Sequence, residues 1–279
     1  MLANQNEFQK HIAQAAAPMI SRAILFVGAT DLVRKFITLL NYFIGRGAGM
    51  GWALSSEVAV ALNCIKRKNP VVFDVGANVG EWSQKYRKLQ PNGILYMFDP
   101  QVACQKAIVD KQIPNAELVK VAVGRQKGKL KLYSSHPADA TASFHERRDS
   151  FFQGISYAAD EVDVIQLDQF ISERNISFID YIKFDIEGHE LEALAGLQSA
   201  LTTGKIGAFS FEFGSGNINS RTCFRDFWDL LSPSYLIFII TPSGKLVAID
   251  EYYEDMEFYR GVSNFVAQLK KQRPIGQTL

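Results

Sequence analysis

The sequence predicts an α/β protein in which helices flank a largely parallel sheet, preceded by a helical extension. Two observations carry this. From Pro70 onward, short apolar runs alternate with stretches of helical spacing, the pattern of strands joined by crossover helices. The first run, Val71-Val72-Phe73, leads through Asp74-Val75-Gly76-Ala77-Asn78-Val79-Gly80 into a helix, a glycine-bearing turn of the kind that borders ligands in such folds. Composition agrees with this. With 47% hydrophobic and 21% charged residues over 279 positions, the chain is an ordinary globular one, neither disordered, collagen-like nor coiled-coil. A net charge of +1 argues against a protein that wraps nucleic acid. Cys64, Cys104 and Cys223 are too scattered for a disulfide framework and read as reduced thiols of a cytoplasmic protein.

In the N-terminal region, Glu7, Lys10 and His11 precede only a short alanine-rich stretch, so no export signal is expected. Ala23 to Gly45 is apolar but broken by Asp31, Arg34 and Lys35, which excludes a transmembrane span. Ile24, Leu25, Leu32, Phe36, Leu39, Leu40 and Phe43 recur at helical spacing. An amphipathic helix is expected there, covered by its own domain or by a second subunit in a homodimer, with weak membrane-surface contact as the alternative. Gly45 to Gly51 has no lysine and hydroxyl residue to complete a phosphate loop and reads as a link or turn near the main boundary. A helix capped by Ser55 or Ser56 then runs to about Lys68. Residues 1–69 are taken as the extension and 70–279 as the catalytic domain.

Within that domain, strands are expected at Val71 to Phe73, Ile94 to Phe98, Leu118 to Val123, Tyr181 to Phe184, Ile206 to Phe213, Leu236 to Ile240, Lys245 to Ile249 and Val262 to Ala267. Helices are expected at Glu81 to Leu89, Val102 to Lys111, from Asp168, at Glu190 to Leu201 and at Arg221 to Leu231. Lys129 to Tyr133 and Val162 to Ile165 are added β segments around a polar loop, Ser134 to Asp160.

The turn after the first strand indicates its own ligand. Gly76 permits a tight turn with close backbone approach, and Gly80 lets the helix start near the sheet. The dinucleotide pattern G-x-G-x-x-G is absent, and Asp74 would set a carboxylate beside phosphates, which disfavours an NAD(P)-dependent oxidoreductase. A carboxylate suits a cofactor with an ammonium group at that end, as in S-adenosylmethionine. Asp99, after the second strand, is placed to accept hydrogen bonds from ribose hydroxyls.

Several segments carry a resemblance to the FkbM-type methyltransferases: Phe73 to Gly80, Phe98-Asp99-Pro100, Val121 to Gly124, Thr141 to Phe144 and, most specifically, Ile179 to Glu190 with its Lys183-Phe184-Asp185-Ile186-Glu187-Gly188-His189-Glu190. The family often has Glu where Asp99 stands. The resemblance covers roughly Val71 to Ala267. It implies a Rossmann-like seven-stranded methyltransferase sheet with its last strand antiparallel, S-adenosylmethionine as cofactor, and methyl transfer to a hydroxyl. The acceptor expected is a small hydroxylated metabolite: a sugar, glycan or lipid-linked precursor. Asp74, Gly76, Ala77, Asn78, Gly80, Asp99 and Ala122, the last near the adenine, are the cofactor-binding candidates. A scaffold that keeps the fold without transfer is the alternative from another class.

An alcohol needs a base or a metal before it attacks a methyl group. Asp185, Glu187, His189 and Glu212 gather at neighbouring strand ends and are the catalytic candidates, with Asp185 or His189 as base. Glu187 serves equally well as a helix cap. Lys183, in an apolar strand, needs an acidic partner. Magnesium held by Asp185 and Glu212 is an alternative; metal-free catalysis is the expectation taken. His136, Ser143, His145, Arg147 and Arg148 lie in the loop where the acceptor would be recognised.

Overall fold

The computed structural model describes residues 16–49, 54–148 and 152–270. The chain divides into two compact units, one up to Ile44 and one from Gly45. In the first, α1 (Ala17–Phe26) and α2 (Thr30–Phe43) replace the single expected helix. The break falls at Gly28, whose φ of 64° is left-handed. No residue of either helix is buried. Phe26, Leu32 and Phe36 all project into solvent, and no helix among the described residues is long and apolar enough to cross a membrane.

The second unit opens with the glycine-rich stretch, which is not a free link. Gly47 donates to Ser263 Oγ at 2.8 Å and Gly49 to the Val262 carbonyl at 2.7 Å, so this segment lies along the last strand. Next comes α3 (Leu54–Cys64), whose Val58 and Ala61 join a core cluster with Trp82, Tyr86, Leu95 and Tyr181. The boundary expected at residue 69 therefore falls inside this unit: α3 buries an apolar face on the sheet domain.

The large sheet has the order β10-β9-β11-β8-β7-β1-β2-β3. β1 (Val71–Val75), β2 (Ile94–Phe98), β3 (Ala116–Val119), β7 (Tyr181–Phe184) and β8 (Ala208–Gly214) run parallel. Each position of β7 is buried, as a strand covered on both faces requires. β11 (Val262–Leu269) is antiparallel, as expected, and inserts between β8 and β9 (Tyr235–Ile240). The sheet has eight strands, not seven, because β10 (Leu246–Ile249) folds back on β9 as a hairpin at the edge. The crossover helices include α4 (Glu81–Leu89) and α5 (Val102–Asp110).

A separate three-stranded sheet joins β4 (Ala122–Val123), β5 (Gly128–Ser134) and β6 (Ala158–Ile165). The expected strand Leu118 to Val123 is thus two, since Ala122 and Val123 leave the large sheet to pair with Val164 and Ile165. After α6 (Leu167–Glu173), the helix expected over 190–201 also splits, into α7 (Glu190–Ala195) and α8 (Gln198–Thr202). Gly196 at the break abuts Gly124, whose carbonyl oxygen would lie 2.2 Å from any Cβ added there. Two short helices, α9 (Ser215–Ser220) and α10 (Phe224–Leu231), follow β8.

Gly76 is the tightest joint. At φ 82° its missing Cβ would sit 1.9 Å from the carbonyl oxygen of Asp185, so the turn after β1 and the end of β7 touch backbone to backbone. Gly76→Ala should lower stability by more than ~2 kcal/mol, whereas Gly128→Ala, where a Cβ meets nothing within 4 Å, should stay within ~1 kcal/mol. Urea midpoints of the two variants measure this; equal midpoints would remove the Gly76 constraint.

Candidate active site

β1 pairs with β2 on one side and with β7 on the other, so the strand order reverses at β1, and ligands of open α/β sheets bind beside such a reversal. A cavity lies there. Its walls come from Gly76 and Asn78 after β1, Asp99 and Gln101 after β2, Ala122 of β4, Asp139 and Phe144 of the long loop, and Asp185 and Glu187 after β7.

The amides of the first turn are already used. Gly76 and Ala77 donate to the Phe98 carbonyl at 3.0 Å each, and Gly80 donates to that of Ala77 at 2.8 Å. Asn78 donates to Asp99 at 2.8 Å, and Val79 to the Asn78 side chain at 2.7 Å. No amide from 76 to 80 is left for a phosphate, so the helix start is not a pyrophosphate cradle. The cavity offers acceptors instead. Asp99 takes the Asn78 and Gln101 amides on separate oxygens and the Cys104 thiol as a third donor, which leaves acceptor capacity for one ligand hydroxyl. Burial pushes its carboxyl up to about 6 against those two amides. Asp139 differs: burial alone would raise it, but Ser135 and Thr141 each donate a backbone amide and a hydroxyl, holding it at about 2. Gln101 ties this turn to the cavity, donating to the Asp139 carbonyl at 2.9 Å and accepting its amide at 3.0 Å.

The opposite end is built on Lys183. Its Nζ lies 2.8 Å from Asp185 and 3.8 Å from Asp74, on the neighbouring strand at the paired position. Glu187 is held in the left-handed region at φ 53°, with its carboxylate 2.5 Å from Arg147, and Ser143 donates to its carbonyl at 2.8 Å. Arg147 also reaches Ser215 Oγ at 3.2 Å. Carboxylate oxygens of Asp185, Glu187 and Glu212 lie within 4.8 Å of one another. Burial and the neighbouring Asp185 carry Glu187 up to about 7 despite Arg147, and the same two causes raise Glu212 well above the usual carboxylate range.

A model of the methyltransferase FkbM domain matches residues 74–232, more than half of the chain. The chain belongs to the FkbM methyltransferase family. It is similar to the 2-O-methyltransferase NoeI of Sinorhizobium fredii, 24% identical over 152 residues, a match that takes in 50% of this chain and 63% of that protein. The chain thus spans less than two thirds of this relative's length. Among solved structures it resembles the precorrin-6y C5,15-methyltransferase of Geobacter metallireducens, at 13% identity and a TM-score of 0.40 over 76% of this chain and 87% of that one. The N-methyltransferase NodS of Bradyrhizobium japonicum matches at 9% and 0.40 over 78% and 94%.

In this member of the FkbM methyltransferase family, Gly76, Asn78, Asp99, Ala122, Asp185 and Glu187 line the main cavity. Asp74 does not. It has no exposed surface, accepts a hydrogen bond from Ser83 at 2.6 Å and faces Lys183, so it braces the site from behind instead of meeting a ligand. Ala77 is buried beneath the turn, and Gly80, at φ 78°, turns the chain into α4 with Ile108 as its nearest neighbour instead of the sheet. His189 is also outside. It is buried against Phe144, with ring centroids 4.6 Å apart, in a recess it shares with Gly124 and His145. Burial lowers its pKa to about 4, so it is neutral at pH 7 and remote from the work of a base. Sequence reading missed Gln101 and Asp139. The hydroxyl residues on either side of Asp139, Ser135 and Thr141, were a usable signal, since such residues hydrogen-bond a nearby Asp in compact turns.

Glu190 yields a test of the pH response. With no exposed surface, it accepts the Ile186 amide at 3.0 Å on one oxygen and finds no partner on the other. Burial moves its pKa from 4.5 to about 8. The folded state then keeps a proton that the unfolded chain releases, so stability falls as pH rises from about 4.5 to 8. Glu190→Gln should lose less stability over that range than the parent chain, read from urea midpoints at each pH. Parallel pH profiles would show that Glu190 is ionised in the folded protein.

Proposed function

We propose that the chain is an S-adenosylmethionine-dependent O-methyltransferase acting on a hydroxyl of a neutral sugar or glycan. One observation carries the cofactor reading: the turn at 76–80 has no spare amide for a phosphate, while Asp99 and Glu187 bring carboxylates to the cavity. That set fits a cofactor bearing ribose hydroxyls and an ammonium and lacking phosphate. Asp99 would take a ribose hydroxyl. When bound, S-adenosylmethionine supplies a methyl group on a sulfonium that departs as a neutral thioether.

Asp185 is the base in this reading. Its carboxylate reaches the cavity and keeps 36% of its side-chain surface exposed, while Lys183 fixes its orientation. The proton lost by the acceptor hydroxyl passes to this carboxylate as the oxygen becomes nucleophilic. Glu187 and Glu212 orient acceptor hydroxyls. Asp185 and Glu187 already have Lys183 and Arg147 as counterions, which supports catalysis without a divalent ion. The unpaired cysteines suit a cytoplasmic setting.

Calorimetry with S-adenosylhomocysteine and with NAD tests the cofactor. Binding of the first alone is expected, weakened at least ~10-fold in Asp99→Ala; binding of NAD alone would overturn the assignment. Transfer should survive chelator treatment and fall roughly 10²- to 10⁴-fold in Asp185→Asn. Activity abolished by the chelator and restored by magnesium would replace the base with a metal.

A further inference from the structure

The helical unit before the sheet domain is apolar where it meets water. Among the described residues 23 large apolar side chains are exposed, and 13 of them lie between Met19 and Ile44, on α1, α2 and the residues that flank them. Phe26 is 92% exposed, and neither helix has a buried residue. Chains in water rarely leave so continuous an apolar surface open unless a partner or a lipid phase covers it. The family match begins at residue 74 and assigns this unit nothing.

The two helices distribute their apolar residues differently. In α2, Leu32, Phe36, Leu39, Leu40 and Phe43 fall on one half of the helix, and Asp31, Arg34, Lys35, Thr38 and Asn41 on the other. That is the form of a helix lying in the plane of an interface. α1 is apolar nearly all round: Ile20, Leu25 and Phe26 point in three directions about 100° or more apart, with only Ser21 and Arg22 as polar side chains. A helix apolar on every side is normally buried, in a protein core or in lipid. Its 10 residues rise ~15 Å, half of a ~30 Å hydrocarbon core, so α1 can enter one leaflet without crossing the bilayer.

Lipid fits this surface better than a protein cover. A second copy of the chain would shield one stripe of α1 and leave the others in water, whereas acyl chains surround a helix on all sides. Residues 1–15 hold only Met1, Leu2, Phe8 and Ile12 as large apolar groups, against the 13 to be covered. Charge points the same way. Arg22, Arg34 and Lys35 outnumber Asp31, which itself lies 3.2 Å from Arg34, so the unit turns a net positive charge toward anionic headgroups. The long stem of Arg22 lets its guanidinium reach that level from α1.

We propose that residues 16–44 are a one-leaflet membrane anchor, with α1 among the acyl chains and α2 at the headgroup boundary of an anionic bilayer, its apolar face inward. The anchor is independent of the cofactor reading, since it uses no residue of the candidate active site. It holds the chain at the membrane surface without a spanning helix.

Vesicle flotation of the full chain tests this, with vesicles of phosphatidylcholine and with vesicles of phosphatidylcholine and phosphatidylglycerol in equal parts. The chain should float with both, ~10-fold more tightly with the mixture. Phe26→Glu combined with Phe36→Glu should weaken binding to both at least ~10-fold, and Arg22→Ala combined with Lys35→Ala should remove most of the preference for the mixture. Leu89→Glu, at an exposed apolar residue of α4, should change neither, and urea midpoints confirm that every variant folds. Absence of flotation, or an equal loss in Leu89→Glu, would overturn the anchor. Flotation unchanged by Phe26→Glu with Phe36→Glu, together with light scattering showing that this pair splits a dimer into single chains, would make the surface a subunit contact instead.

Discussion

A buried lysine organises the site. Lys183 lies in a strand otherwise made of Tyr181, Ile182 and Phe184, and only 8% of it is exposed. Burial alone would pull its ammonium toward neutrality, but Asp185, Asp74 and Glu57 outweigh this and raise its pKa. An ammonium in such a place persists only with close anions, and removing one partner would leave the other charge stranded. The ion pairs therefore tie β1 to β7 where the strand order reverses. Asp74 passes the constraint on to α4 by accepting the Ser83 hydroxyl at 2.6 Å. On the other side, Asp185 is held with its carboxylate at the cavity.

Backbone contact reinforces that tie. Only glycine at 76 allows the turn after β1 to touch the Asp185 carbonyl, and the same turn gives its amides to Phe98 and Asp99. A turn fully bonded to its own neighbours cannot also serve phosphates, whereas the carboxylates it positions can meet hydroxyl and ammonium groups. The chemistry the site can support thus follows from how its hydrogen bonds are already spent. The large sheet supplies the rigid frame, and the long loop between β5 and β6 closes over it, with Ser143 and Arg147 both anchored on Glu187.

Much of this was legible from the chain alone because it is local. The strand, turn and helix around Gly76, the acid after β2 and the block from Lys183 to Glu190 are each contiguous, and contiguity fixes which end of the sheet they occupy. The need of Lys183 for an acidic partner was legible too, as a rule about buried charge. What misled was orientation. Asp74 and Val75 are adjacent in one strand, and alternation sends their side chains to opposite faces, so Asp74 turned to Lys183 while Val75 lined the cavity. His189, one residue past Gly188, swung out to Phe144 because both Glu187 and Gly188 have left-handed backbones.

The amino-acid sequence by itself determined the alternation of strands and helices, the family and the set of acids at the strand ends, since periodicity and motif spacing act over a few residues. Only the tertiary structure decided which of those acids face a cavity and that α3 belongs to the sheet domain. Both depend on strand order and on the packing of α3 against the sheet. They are set by burial and register across the whole domain, and no local pattern in the chain records them.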